Sequence, residues 1–220
     1  MKKIVFYTLI AASAMVLFSS CDILNDILNI NGKTSKEKDF TTLVSEGEFA
    51  LAHKMLQDKI NNTDISYSII AEPKAKDIYA MADFLYKDWI LDAIYTNSDN
   101  LELVVSQLLM EYPILGEKKS GLQDYSYGSH SAYLSGTSHF NQLCDKIFTT
   151  ALTLKKYKVV EVVVNAYMED ADITMGYNRW DTTPPSPVVD GHKIDGDHSY
   201  IKFSNKSQAA ARKRLQEARQ

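Results

Sequence analysis

The chain is poor in the features that define several protein classes. It has two cysteines among 220 residues, so it carries no disulfide framework. Nine glycines exclude a collagen-like repeat. Neither sign of charge dominates: 24 basic residues face 28 acidic ones, and this slight acidic excess speaks against nucleic-acid binding, which needs a basic surface. No continuous apolar run reaches the ~20 residues that a membrane-spanning helix requires. Catalytic signatures are missing too, since neither Gly-x-Ser-x-Gly nor His-Glu-x-x-His occurs. What remains is the material of a core. Hydrophobic residues make up 45% and aromatic ones 10%, which excludes a wholly disordered chain. The length suits one domain, or one with an appendage.

The N-terminus carries the most specific pattern. Lys2 and Lys3 precede an uncharged, mostly apolar stretch from Ile4 to Phe18, too short to span a bilayer but suited to a secretory h-region. Ordinary signal peptidase prefers small residues at −3 and −1, and cleavage before Cys21 would place Phe18 at −3. Leu17-Phe18-Ser19-Ser20-Cys21 instead resembles the lipobox of bacterial lipoprotein signals, with small residues at −2 and −1 and a departure at Leu17 and Phe18. That resemblance implies export and anchoring to a bacterial membrane through lipidated Cys21, outer and inner membrane not being distinguished. A diacylglycerol with an amide-linked acyl chain exceeds the two-signal requirement for stable anchoring. Loss of residues 1–20 would leave 22 basic against 28 acidic residues. Cys144 would then have no cysteine partner, and its apolar helical position predicts a small buried hydrophobe.

Beyond residues 21–38, a lipidated start and tether, helical periodicity predicts a domain over 39–176. Phe49, Ala52, Leu56 and Ile60 form one stripe. Pro73 suits the first turn of a helix over about 74–95, whose stripes through Ile78, Leu85 and Trp89 and through Tyr79, Tyr86 and Ile90 predict cover on two sides. Asp99-x-x-Glu102 predicts a capping box before Leu101. Phe140, Leu143, Cys144, Ile147, Phe148, Ala151 and Leu152 give the cleanest pattern. The valine-rich segment 157–171 reads as helix from Lys158, Glu161, Asn165, Glu169 and Asp172. Over 177–220 we expect a proline-rich linker (Asp181 to Pro187), a β-meander turning at two Asp-Gly pairs, and a basic terminal helix.

The fold class is therefore mainly α: antiparallel helix pairs with a small C-terminal β-meander and a terminal helix. Gly47-Glu48-Phe49-x-x-Ala52, Lys156-Tyr157-x-x-Val160 and Glu111-Tyr112-Pro113 resemble elements of tetratricopeptide repeats over residues 36–171. The corresponding points Phe49, Leu101 and Tyr157 lie 52 and 56 residues apart, longer than the 34 of that repeat, so a plain helical bundle fits equally.

Four groups of residues invite a functional reading. A long Tyr/Ser/Gly loop from Tyr112 to Tyr133 has the composition of binding loops, and Tyr112, Tyr125, Tyr127 and Tyr133 are its candidate ligand contacts. Asp190, His192, Asp195, Asp197 and His198 place five possible metal ligands within nine residues, although hairpin turns account for the aspartates as well. Ser129, His130, Ser135 and His139 suggest nucleophile and base but fit a polar surface loop better. Arg212, Lys213, Arg214 and Arg219 could meet anionic lipid or a partner's acidic face, or form a solvated helical face. The expected function is a lipid-anchored, non-catalytic envelope module that binds a partner protein or ligand and needs no cofactor. A hydrolase or metal-dependent enzyme built on His192, Asp195, Asp197 and His198 and a structural spacer are the alternatives.

Overall fold

The computed structural model describes residues 38–64, 71–118, 121–124, 128–175, 188–189, 192–193 and 198–220. Three tight turns of one kind set its architecture. They join α1 (Phe40–Ser45) to α2 (Phe49–Asn61), α3 (Ala71–Thr96) to α4 (Leu101–Glu111), and α5 (Gly128–Thr153) to α6 (Tyr157–Ala166). Each follows its first helix with a residue of positive φ: Gly47 at 77°, Asn97 at 51° and Lys155 at 56°. Each then closes with the same two backbone bonds. The amides of Gly47, Asn97 and Lys155 donate three residues back, and those of Glu48, Ser98 and Lys156 five residues back. This is the Schellman motif, which satisfies the last helical carbonyls and reverses the chain. Phe49, Leu101 and Tyr157 are the first residues of α2, α4 and α6.

The pairs stack in chain order. The packing of α3 on α5 is the most extensive, α1 lies against α3, and a last helix, α7 (Lys206–Ala218), packs on α5 and α6. In the second layer α4 packs on α6. Both predicted stripes of α3 are buried, through Ile78, Tyr79, Ala82, Leu85, Tyr86, Ile90 and Ile94. Phe49 stacks on half-buried Trp89 at 5.6 Å between ring centroids. Cys144 is fully buried, as its helical position predicts, and Pro73 falls in the first turn of α3.

A three-stranded antiparallel sheet closes one end, in the order β1 (Gly121–Asp124), β5 (His198–Ser204), β2 (Asp170–Met175). β3 (Val188–Val189) and β4 (His192–Lys193) pair antiparallel as a separate two-stranded sheet. The fold is thus mainly helical with a small antiparallel sheet and a C-terminal helix, as expected.

Several local expectations are corrected. The sheet is no C-terminal meander, because β1 and β2 come from either side of the α5/α6 pair and only β5 lies in the tail. Phe40–Gln220 is one compact unit. The valine-rich helix stops at Ala166 rather than 171, since Tyr167 is extended (φ −49°, ψ 131°) and the Asn141 amide takes both polar backbone groups of Met168. Asp99 caps nothing, because the N-cap of α4 is Asn100 in a left-handed conformation. The long loop is interrupted by β1 and ends where α5 begins, which puts Ser135 and His139 on a helix.

Candidate functional site

Two cavities lie along the parallel seam of α4 and α6. On α4, Glu102, Ser106, Leu109 and Met110 recur at helical spacing, and on α6 so do Lys158, Val162, Asn165 and Ala166. At the C-terminal end of the seam a groove of about 490 Å³ is lined by Leu109, Met110, Tyr112, Ile114, Phe140, Val162, Ala166 and Met168, with Ser106 and Asn165 as its polar members. Met110, at the lip of this groove, is 76% exposed. An apolar side chain facing water beside an apolar groove makes this the candidate site.

The floor of this groove is rigid for a definable reason. Tyr112 is only 4% exposed, packs on Phe140 at 5.2 Å and donates its hydroxyl to Asp83 Oδ1 at 2.7 Å. The other carboxylate oxygen of Asp83 lies 2.6 Å from His139 Nδ1 on α5, and the His139 ring stacks on Tyr79 at 5.4 Å. Tyr79 in turn donates to the Ala132 carbonyl at 2.7 Å and accepts from the Leu115 amide at 3.0 Å. Burial raises the Tyr79 hydroxyl to about 12, and burial with the adjacent Asp83 charge pushes Tyr112 above the ordinary tyrosine range. Both are therefore neutral donors at physiological pH. They lock α3, α5 and the end of α4 together.

At the N-terminal end of the same seam a second cavity, about 480 Å³, has a different character. Lys155, Lys156 and Lys158 line it with Asn97, Asn100, Tyr157 and the carboxylates Asp99 and Glu102. Lys156 Nζ is held by Asn97 Oδ1. Neither helix start is capped by a side chain, as Asn100 and Lys156 make no such bond.

No known protein family, curated protein or solved structure matches this chain. Its site rests on its own geometry.

A third, more polar cleft is committed to structure. Asp170 Oδ2 accepts the Ser207 amide at 2.7 Å at the start of α7, and Asp145 accepts the Tyr167 hydroxyl at 2.6 Å.

The residues singled out by sequence scatter. Tyr112 belongs to the groove floor rather than an open loop, and Tyr133 sits on α5 edge-on to Phe203 at 6.3 Å. Tyr125, Tyr127 and Cys21 lie outside the described residues. So do Asp195 and Asp197 and the side chains of His192 and His198; among the described residues no group of three metal-binding side chains converges. Cys144 is no nucleophile, because burial raises its thiol well above the ordinary range. Arg212, Lys213, Arg214 and Arg219 are all exposed, as a solvated helical face would be; Arg219, just beyond α7, pairs with Glu161 at 2.6 Å and Arg214 lies over Phe148 at 4.5 Å. Sequence reasoning missed the seam. Its signal was present in Met110, an apolar residue that falls off the buried stripe of α4.

Proposed function

We propose that the protein is an exported, lipid-anchored module of the cell envelope that binds a partner protein or ligand without catalysing a reaction, and that it binds through the α4/α6 seam. The observation that carries this reading is the apolar groove with Met110 at its lip. Methionine is unbranched and adapts to varied apolar partners, which suits a binding surface. The lipobox-like segment ending at Cys21 supports the anchored placement, and the stacked helix pairs supply the kind of scaffold that the tetratricopeptide resemblance implies. No helix among the described residues is long and apolar enough to cross a membrane, so in this reading attachment falls to the lipid.

The test is a photocrosslinking amino acid placed at position 110 of the chain in living cells, with position 76, an exposed lysine on α3, as control. A recurrent adduct from position 110 that position 76 does not yield is expected. Identical products from both positions, or none from either, would sink the proposal.

A further inference from the structure

We infer that the α4/α6 seam binds a single-chain anionic amphiphile, with its apolar tail in the methionine-lipped groove and its acidic head among the lysines at the other end. The inference rests on the binding-module reading above and adds the chemistry of the occupant.

The argument starts from the juxtaposition of the two cavities. One pair of parallel helices lines both, α4 with 11 residues and α6 with 10, so the seam is about 15 Å long at 1.5 Å rise per residue. Along that length the lining changes from polar to apolar. Lys158 and Glu102 stand one helical turn from Val162 and Ser106, and those are followed one turn later by Ala166 and Met110. A wholly apolar ligand would leave the lysine end empty, and a small ion would leave the groove empty. A molecule with one charged end and one apolar end covers both.

Charge decides the sign and size of the head. Lys155, Lys156 and Lys158 face Asp99 and Glu102, a local excess of one positive charge. That excess complements a monoanion such as a carboxylate or a phosphodiester and gives little to a polyanion. Size limits the tail. The groove of about 490 Å³ lies within the range of small-molecule sites, suits one chain, and offers only Ser106 and Asn165 as polar groups on its lining. Its floor, Phe140 and Tyr112, is fixed by the Asp83 network, whereas Met110 and Met168 at its margins can adjust to chains of different length.

The experiment is a titration of the full chain carrying Cys21→Ser, so that no covalent acyl group competes, with the fluorescent fatty acid cis-parinaric acid in detergent-free buffer. Saturable binding with one site per chain is expected. Laurate should displace the probe, and lauryl alcohol, which has the same tail without the charge, should do so at least about fivefold less well. Met110→Asp places a carboxylate at the lip and should weaken binding about tenfold or more. Lys158→Glu should weaken it roughly fivefold, and Lys76→Glu on α3 should leave it unchanged. Position 110 is largely exposed, so the first variant should keep its helical circular dichroism. Non-saturable uptake, unaltered affinity in Met110→Asp, or equal displacement by laurate and lauryl alcohol would each overturn the inference. Should photocrosslinks from position 110 capture an envelope protein while cis-parinaric acid fails to bind, the amphiphile is refuted and the binding-module reading stands.

Discussion

At the scale of single residues, close packing around the Asp83 network sets the limits of substitution. Gly136 is helical, and its need for glycine comes from a neighbour. A Cβ there would stand 2.7 Å from Tyr79 Cζ. Tyr79 cannot yield, because its hydroxyl is held by the Ala132 carbonyl and the Leu115 amide. Gly136→Ala should therefore destabilise the protein by about 1–3 kcal/mol, the usual penalty of overpacking, although alanine is the better helix former. Urea unfolding would read this as a lower midpoint at unchanged slope. His53 gives a second test. Its ring lies edge-on to Tyr86 and Trp89, and burial lowers its pKa below the ordinary 6.5, partly opposed by the charge of Glu111. Between the lowered folded value and 6.5 the unfolded chain binds more protons than the folded one. The contribution of His53 is thus complete above pH 6.5 and is lost as pH falls through the folded value. His53→Phe keeps the ring contacts and removes the titration. Its stability should fall less steeply than that of the parent below pH 6.5, as measured by denaturant midpoints across that range.

At the scale of elements, the three Schellman turns differ in how well their residues suit them. The first uses glycine and the second asparagine, both tolerant of a left-handed conformation, but the third uses Lys155 at φ 56°. Lys155→Gly should stabilise the α5/α6 turn by about 0.5–1 kcal/mol, visible as a higher unfolding midpoint, whereas Gly47→Ala should lower it. These turns were only partly legible in the sequence. Gly47 announces itself, yet a lysine gives no local sign of positive φ. The helices were legible because their information is local: stripes such as Phe140 to Leu152 repeat every three or four residues and need no partner to be recognised. Of the strands, β3, β4 and β5 fall in the segment read as β, whereas β1 and β2 were not legible. Residues 170–175 pair with 199–204, so the sheet is specified by a segment some thirty residues away. The groove floor was hidden for the same reason. Tyr112 in a Gly/Ser-rich context reads as a loop tyrosine until Asp83, 29 residues upstream, is placed beside it.

At the scale of the whole molecule, a stack of helix pairs has two ends, and the last pair needs a cover for the apolar face it would otherwise present to water. Here α7 covers it. Ala211 and Leu215 are buried against α5 and α6, Tyr157 lies under the Arg219 guanidinium at 5.7 Å, and Arg219 also pairs with Glu161. The strand before it adds a second attachment, since β5 is the middle strand of the sheet and is paired to β2 directly after α6. Burial and covalent continuity together make α7 part of the cooperative unit rather than a charged tail. The exposed ion pairs contribute little to this, since pairs in water are worth less than about 1 kcal/mol, and the weight falls on the buried leucine. Leu215→Ala should accordingly cost about 2 kcal/mol or more, the cost of a buried leucine truncated to alanine, in a single unfolding transition shared by fluorescence and circular dichroism. Glu161→Gln, which removes only the partner of Arg219, should cost less than about 1 kcal/mol in the same assay. A helix docked merely by charge would give the opposite order, with Leu215→Ala silent and Glu161→Gln costly at low salt.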